Sequence, residues 1–192
     1  MAANPTVMPH RRTPKKKELN VRDARSEDRD DARKITLSAF QQYAAVMPPL
    51  RWEGYRENIL ATMADAAPAR QIVAEKDGVI LGSALLYPPG TAFSTSDEGP
   101  LACPEVRLLA VAPEARGQGI GTALMKECIR RACRLGAPCL NLHTTDMMQV
   151  AMRMYERMGF IRSPELDFHP DPGITVKAYR LDLARPGKAK RG

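Results

Sequence analysis

The hydrophobic pattern is clearest in the middle of the chain, around residues 105–135. Residues 106–111 form a short apolar run that only Arg107 interrupts, which is typical of a mostly buried strand. Pro113 follows and ends this strand, because proline cannot donate a hydrogen bond to a neighbouring strand. The next segment is rich in glycine and leads into apolar residues at helical spacing, namely Ile120, Leu124, Cys128, Ala132 and Leu135. The pattern therefore predicts a strand, a glycine turn and a helix, in that order.

The rest of the chain contains patterns for six more strands and three more helices. Asp77 and Gly78 lie between two apolar runs, which is a strong signal for a β-hairpin. The predicted strands cover residues 19–24, 71–75, 79–87, 139–144, 160–162 and 174–183, and the predicted helices cover 26–45, 52–66 and 147–158. Ser26 is the expected N-cap of the first helix. This order predicts an α/β (α+β) domain, with a mixed central sheet of about seven strands and helices on both faces.

The glycine turn has the features of a phosphate-binding site. A turn that feeds a helix exposes unpaired backbone N–H groups at the positive end of the helix dipole. Glycine matters there because the missing Cβ atom lets a phosphate approach the backbone. The turn is not a dinucleotide fingerprint, since Thr122 stands where the third glycine would fall, and no Gly-Lys-Ser/Thr follows as in a Walker P-loop. The candidate ligands are the backbone amides of Gly117, Gln118, Gly119, Ile120, Gly121 and Thr122.

Two motifs resemble the GNAT superfamily of N-acetyltransferases. Motif A of that superfamily, Arg/Gln-x-x-Gly-x-Gly/Ala after a strand and a proline, is filled here by Arg116, Gly119 and Gly121. Residues 154–160, Met-Tyr-Glu-Arg-Met-Gly-Phe, are similar to the superfamily pattern Leu-Tyr-Glu-x-Leu-Gly-Phe. The predicted order of elements over residues 19–183 also resembles the GNAT order. The resemblance implies that acetyl-CoA is the co-substrate.

The resemblance further implies how acetyl-CoA would be held. The glycine-turn amides would bind its pyrophosphate, and Arg116 belongs to the same motif. The backbone of Leu109, Ala110 and Val111 would form hydrogen bonds with the pantetheine arm. The amide of Val111 would face the thioester carbonyl, where a comparable oxyanion donor contributes roughly 3 to 4 kcal/mol to transition-state stabilisation.

One position departs from the superfamily pattern. Many GNAT members carry an asparagine seven residues before the motif tyrosine, and this chain has Met148 there. The contact of that asparagine with the pantetheine is either lost here or supplied by a neighbour such as Asn141 or Gln149.

The resemblance also implies two catalytic residues. Tyr155 fills the position of a tyrosine whose hydroxyl points at the coenzyme sulfur, and a phenol with a pKa of about 10 can protonate a leaving thiolate. The alternative is a packing role, with the ring in the core and the hydroxyl in water. Glu105 stands where histone-modifying members carry a glutamate base, and an ordinary surface glutamate at a strand entry is an equal alternative. Other candidate bases are Glu75, Asp77, His143 and Asp146.

The net charge of +7 lies at the two ends of the chain. Residues 1–18 carry a surplus of four positive charges and residues 184–192 carry another four, so residues 19–183 total −1. We interpret 1–18 as a disordered basic tail, 19–183 as the N-acetyltransferase domain and 184–192 as a basic C-terminal tail. Because the charge is in the tails, it predicts no specific nucleic-acid partner.

The cysteines and the apolar runs give expectations about the cellular setting. The four cysteines show neither CxxC spacing nor histidines at metal-ligand intervals, so we expect no metal and no disulfide. No run approaches the roughly 18 apolar residues of a membrane span. The N-terminal residues lack the apolar stretch of a secretory signal. A cytoplasmic protein without a membrane partner is the economical expectation.

The predicted function is the direct transfer of an acetyl group from acetyl-CoA to an amine. The acceptor is a small-molecule or protein amine, and a protein N-terminus or lysine, a polyamine, an aminoglycoside and an amino acid all remain open. Trp52, Tyr55 and the loop at 88–104 are candidate acceptor contacts. The alternative function is a non-catalytic acyl-CoA-binding regulatory module, and a homodimer is left open.

Overall fold

The computed structural model describes residues 18–91, 102–170 and 173–183. The strands are β1 (Asn20–Asp23), β2 (Arg70–Lys76), β3 (Val79–Tyr87), β4 (Glu105–Val111), β5 (Cys139–Thr144), β6 (Ile161–Arg162) and β7 (Lys177–Asp182). The helices are α1 (Arg29–Phe40), α2 (Pro49–Ala64), α3 (Ile120–Arg134) and α4 (Gln149–Arg157). Short 3₁₀ turns lie at Ser26–Asp28, Gln41–Ala45, Pro113–Ala115 and Pro164–Leu166.

The seven described strands form one sheet in the order β1-β2-β3-β4-β5-β7-β6. Neighbouring strands are antiparallel except β4 and β5, which are parallel. The register between β4 and β5 contains two pairs, Glu105 with Asn141 and Val106 with Leu142. The predicted mixed sheet of about seven strands is confirmed.

Helices cover both faces of this sheet, as the sequence predicts. On one face, α3 and α4 pack on the larger core cluster, which includes Leu124 of α3 and Tyr155 of α4. On the other face, α1 and α2 enclose a smaller cluster, in which Ile59 is fully buried and Ala110 of β4 takes part. Strand alternation explains the division, because the next residue, Val111, packs on the α3–α4 side.

The observed helix starts differ from the predicted ones by a few residues. Ser26 begins a 3₁₀ turn and does not cap α1. The carboxylate of Asp28 fixes this corner, since it accepts the backbone amide of Arg25 at 2.7 Å and the guanidinium of Arg22 at 2.5 Å. Pro49 is the first residue of α2, because the fixed φ of proline suits the first turn of a helix.

A disulfide joins Cys103 to Cys139, with Cα atoms 5.5 Å apart, so the prediction of no disulfide is wrong. Cys103 precedes β4 and Cys139 begins β5, and both side chains are buried. The two residues are 36 positions apart in sequence, and the parallel pairing of β4 with β5 brings them together. Cys128 and Cys133 are free thiols.

Several predictions concern residues that the structure does not describe. The predicted basic tails are residues 1–18 and 184–192, and the predicted loop is 88–104. Residues 1–17, 92–101 and 184–192 lie outside the described residues, and so do these predictions for the most part. Within the described ranges, no helix combines the length and the apolar character needed to cross a membrane.

Candidate active site

β4 and β5 pair over two residues and then separate, which leaves a cleft between them. β4 contains a β-bulge beside this cleft. The register between β3 and β4 shifts by one residue there, so that Ala84 of β3 lies opposite both Leu108 and Leu109 of β4. Leu108 has a φ of 47°, a left-handed conformation that is strained for a bulky residue. Bulges of this kind are over-represented next to active sites, where they redirect the backbone.

The backbone of β4 offers hydrogen-bonding groups to the cleft. The amide of Ala112 donates to the Leu81 carbonyl of β3 at 2.9 Å, and Ala110 pairs with β3 as well. Successive amides of a strand point to opposite sides, so those of Leu109 and Val111 point away from β3 and toward β5. The predicted contacts of Leu109 and Val111 with a ligand fit this direction. The backbone of Ala110 is directed at β3, and its predicted contact stays a prediction.

The glycine turn enters α3 through two residues in the left-handed conformation. Gly117 has a φ of 76° and Gly119, the N-cap of α3, has a φ of 80°. A Cβ atom at either position would meet no protein atom within 4 Å, so the space beside the turn is open. The first hydrogen bond of the helix runs from the amide of Ala123 to the Gly119 carbonyl at 2.9 Å. The amides of residues 120–122 come before it in the chain, so they have no acceptor within the helix. This geometry fits the predicted pyrophosphate site.

Two members of the motif have packing contacts of their own. A Cβ atom on Gly121 would lie 3.5 Å from the Val111 side chain, so glycine at this position allows α3 to pack closely on β4. The guanidinium of Arg116 donates to the Ala39 carbonyl at 3.0 Å and to the side chain of Gln42 at 3.1 Å. Arg116 therefore ties the glycine turn to the C-terminal end of α1, where helix carbonyls lack partners.

Tyr155 lies on α4 with only 6% of its surface exposed. Its ring centroid is 5.9 Å from that of Phe160, within the larger core cluster. Burial raises the pKa of its hydroxyl above the ordinary value, and the neighbouring Tyr43 and Cys128 raise it further. The phenol therefore remains protonated at neutral pH, as a general acid must be. Its ring packs in the core, which is the packing role that the sequence left open. The role as a general acid stays a prediction, because it requires the hydroxyl to reach the cleft.

Glu105 is buried at the start of β4, with 2% of its surface exposed, and is not a surface residue. Its Oε1 atom lies 3.1 Å from Nδ1 of His143 and 3.5 Å from Nε of Arg107. The other ring nitrogen of His143, Nε2, lies 3.0 Å from the carbonyl oxygen of Leu166. The second carboxylate oxygen, Oε2, is buried and has no hydrogen-bond partner.

The contact between His143 and Glu105 is an ion pair when His143 is protonated. Burial lowers the pKa of His143, but the hydrogen bond and the charge of Glu105 raise it, and the net result is above the ordinary 6.5. Both ring nitrogens face oxygen acceptors, an arrangement that the doubly protonated imidazolium satisfies with two N–H donors. The Glu105 carboxylate is thus fixed through Oε1.

The other candidate bases lie in different surroundings. Glu75 pairs with the Arg22 guanidinium at 2.5 Å, and Asp146 accepts a hydrogen bond from Lys177 at 2.5 Å. Asp77 occupies the turn between β2 and β3. His143 is thus the alternative that contacts Glu105. Across the described ranges, no three His, Cys, Asp or Glu side chains are grouped to hold a metal ion.

An aromatic cluster lies beside the bulge on the α1–α2 side of the sheet. The ring of Tyr55 is 6.0 Å from that of Phe40 and 6.2 Å from that of Trp52. Leu108 and Met148, the residue that replaces the usual asparagine, pack on the same cluster. Trp52 and Tyr55, the predicted acceptor contacts, therefore line the side of β4 that bears the bulge.

Sequence reasoning missed the bulge at Leu108 and the pairing of Glu105 with His143. No residue type in β4 signals the bulge, since leucine rarely adopts a positive φ. The parallel register of β4 with β5 could have revealed the pair, because it places His143 two residues beyond the partner of Glu105 and on the same face.

Comparisons with known proteins agree with this geometry. The sequence model of the Acetyltransferase (GNAT) family matches residues 30–160. An uncharacterised N-acetyltransferase of Schizosaccharomyces pombe is 26% identical over 162 residues, which cover 83% of this chain and 91% of that protein. The S-(2-succino)cysteine N-acetyltransferase of Bacillus subtilis is 36% identical over 117 residues, which cover 58% of this chain and 67% of that protein.

A solved structure shows the same fold with the co-substrate in place. It is a GNAT family acetyltransferase from Brucella melitensis in complex with acetyl-CoA, with a TM-score of 0.55 and 22% sequence identity. The similarity covers 88% of this chain and 92% of that one. The family match spans more than half of the chain and includes both the glycine turn and Tyr155. The chain therefore belongs to the GNAT family of acetyltransferases.

Proposed function

We propose that this protein transfers an acetyl group from acetyl-CoA directly to an amine, within a complex that holds both substrates. The observation that carries the proposal is the cleft between β4 and β5, which ends at an open glycine turn and the start of α3. A strand edge with free amides and a helix N-terminus form a continuous set of donors for an extended, anionic ligand.

The backbone of the chain would hold acetyl-CoA. The amides of residues 117–122 suit the pyrophosphate, since hydrogen bonds to a charged acceptor are about twice as strong as neutral ones. The amides of Leu109 and Val111 suit the pantetheine arm and the thioester carbonyl. The thioester supplies the acetyl group, and the protein supplies position and proton transfer.

Two side chains would handle protons. Tyr155 carries a phenol whose pKa burial raises, so it holds a proton that it can give to the departing thiolate. Glu105 is buried on the acceptor side with one oxygen unpaired, which suits a base acting directly or through a water molecule. His143 would orient Glu105 through the contact of 3.1 Å.

The acceptor is an amine on the α1–α2 side of the sheet. The Bacillus subtilis relative is named for an amino acid derivative, S-(2-succino)cysteine. A small amine of that kind is the first class to test, and protein amines, polyamines and aminoglycosides follow.

One assay tests the proposal. The protein is incubated with acetyl-CoA and single amines from a panel, and the release of free thiol is followed. Amine-dependent thiol release is expected for at least one class, together with thermal stabilisation by acetyl-CoA above its Kd. Stabilisation without thiol release for any amine would favour the non-catalytic acyl-CoA-binding module. Absence of stabilisation at millimolar acetyl-CoA would overturn the proposal.

A further inference from the structure

The side chain of His143 on β5 joins two other parts of the chain. Its Nδ1 atom lies 3.1 Å from Oε1 of Glu105 on β4, and its Nε2 atom lies 3.0 Å from the carbonyl oxygen of Leu166. The ring of Phe168 packs edge-on against the imidazole, with the two centroids 5.3 Å apart. Leu166 and Phe168 belong to the segment that follows β6, the 163–168 loop. His143 therefore connects this loop to the β4–β5 strand pair.

The loop meets His143 on the α1–α2 side of the sheet. Leu142, the residue before His143, belongs to the core cluster under α3 and α4. Strand alternation therefore turns His143 toward the opposite face. Glu105 lies on this opposite face as well, because the residue after it, Val106, belongs to the same core cluster.

The loop also has anchors that do not involve the imidazole. The carboxylate of Asp167 accepts the backbone amide of Ala178 at 2.8 Å and the guanidinium of Arg162 at 2.7 Å. The backbone amide of Ser163 donates to the Ala178 carbonyl at 3.1 Å. These bonds hold the loop on β6 and β7, so it stays attached to its own hairpin when the contact with β5 is broken.

The two polar contacts of His143 need two N–H donors. A carboxylate oxygen and a carbonyl oxygen only accept hydrogen bonds, and the neutral imidazole carries one N–H where the imidazolium carries two. When His143 loses a proton, the remaining one should stay on Nδ1, because a hydrogen bond to the charged Glu105 is stronger than one to a carbonyl. Nε2 then presents a lone pair to the carbonyl oxygen of Leu166, and this hydrogen bond is lost.

The charged groups near His143 lie on β4, the loop, β6 and β7, namely Glu105, Arg107, Asp167, Arg162 and Arg180. Burial lowers the pKa of His143, but the hydrogen bond and the charge of Glu105 raise it to a value above the ordinary 6.5. Histidine is the residue type among these whose ordinary pKa lies between pH 5 and 8, so His143 is the group expected to change charge.

We propose that His143 is a pH-dependent latch for the 163–168 loop. The protonated side chain holds the loop on the β4–β5 strand pair, and the neutral side chain keeps Glu105 and releases Leu166. The latch is therefore closed at acidic pH and opens as the pH rises past the point where His143 loses its proton. An open latch would make the α1–α2 side more accessible to an acceptor amine, and that consequence alone rests on the proposed function.

The first measurement follows the protonation of His143 in the full-length protein without substrates. NMR of the imidazole nitrogens over a pH series gives the midpoint of the titration and shows which nitrogen keeps the proton. The chain has three histidines, so the His143 signals can be assigned by comparison with His143→Gln. The neutral side chain is expected to carry its proton on Nδ1.

The second measurement follows the loop by hydrogen exchange over the same pH series. The amides of Leu166 and Asp167 donate to the carbonyls of Ser163 and Pro164 at 2.9 and 3.1 Å, so their protection factors report on the loop. The amide of Ala112, which bonds to β3, is the internal reference for the whole fold. Relative to this reference, the loop amides should lose protection about fivefold, with the midpoint of the His143 titration, because one hydrogen bond is lost.

Three variants separate the latch from other titrations. In His143→Gln, the loop protection should no longer depend on pH. Glu105→Gln removes the negative charge beside the imidazole, so His143 should lose its proton about one pH unit lower, and the loop should open at that lower pH as well. This variant keeps the test decisive if His143→Gln does not fold. His169→Gln removes the histidine next to the loop and should leave the response in place.

Three results would overturn the latch. One is a loop protection that stays constant while His143 titrates, and another is a loop transition at a different pH from that of His143. The third is a neutral His143 with its proton on Nε2, because the contact with Leu166 would then survive. Both measurements are made without acetyl-CoA or amine, so the latch and the proposed function can fail separately.

Discussion

The β4–β5 strand pair has a closed end and an open end, and the two ends have opposite physical characters. At the closed end, a disulfide and two residue pairs hold the strands together. At the open end, the strands separate, Leu108 is strained and the glycine turn presents amides to open space. A strand edge with unpaired backbone groups costs folding free energy, because each buried backbone donor needs a hydrogen-bond partner.

This difference indicates that one end is built for stability and the other for a ligand. The covalent and paired contacts of the closed end fix the spacing of β4 and β5, so that the open end keeps its shape without pairs of its own. The amides at the open end are left for water or, in the proposed function, for acetyl-CoA. Changes at the closed end should therefore affect folding first, and changes at the open end should affect binding first.

The largest expected effect concerns the disulfide at the closed end. For a loop of 36 residues, loop-closure entropy gives a stabilisation of about 4 kcal/mol. Cys103→Ala should lower the free energy of unfolding by roughly that amount in urea denaturation, and reducing agent should have no further effect on the variant. Cys133→Ala, at an exposed free thiol, is the control and should be neutral. Equal stability of Cys103→Ala and wild type would show that the closed end does not depend on the cross-link.

The next effect concerns the glycine turn at the open end. Gly119→Leu adds a side chain where acetyl-CoA phosphates would lie and should weaken acetyl-CoA binding more than about 100-fold, through loss of charge-assisted hydrogen bonds. The same change at Gly136 is a matched control, since that residue also has a positive φ and open surroundings. Both variants should lose about 1 to 2 kcal/mol of stability from backbone strain. Calorimetric binding that is equally tight in both variants would contradict the backbone site.

The substitution Tyr155→Phe should lower the turnover of the enzyme. Loss of a general acid lowers kcat by about 100-fold at least, while acetyl-CoA binding should be nearly unchanged. Tyr179→Phe provides the control, because this buried tyrosine donates to Glu156 at 3.1 Å and belongs to the same core cluster. The control should lose about 1 kcal/mol of stability and keep its turnover. If kcat of Tyr155→Phe matches that of the control, Tyr155 is a packing residue only.

The smallest effect is a pH dependence at the His143–Glu105 pair. The pKa of His143 in the folded protein lies above the ordinary 6.5, so the pair stabilises the fold fully below pH 6.5. This stabilisation is lost as the pH rises through the folded pKa. The difference in unfolding free energy between wild type and His143→Gln should therefore shrink in that window. A difference that stays constant across this window would show that His143 and Glu105 do not form an ion pair.

Much of the open end could be predicted from the sequence, and little of the closed end could. The apolar run at 106–111, the glycines at 117, 119 and 121 and the helical spacing from Ile120 are local patterns, and the structure has the strand and helix that they predict. The disulfide and the Glu105–His143 pair join residues on β4 and β5, and they depend on which strands are neighbours. Cysteine spacing alone cannot define a pairing of this kind.

The sequence by itself determined the elements, their order and the family, because hydrophobic periodicity and turn residues act over a few neighbouring positions. Only the tertiary structure decided that β4 and β5 are parallel, that they separate after two pairs, and that Glu105 is buried against His143. The physical reason is distance along the chain. Contacts between residues 38 positions apart form only when the whole sheet brings two strands together, and no local pattern records that register.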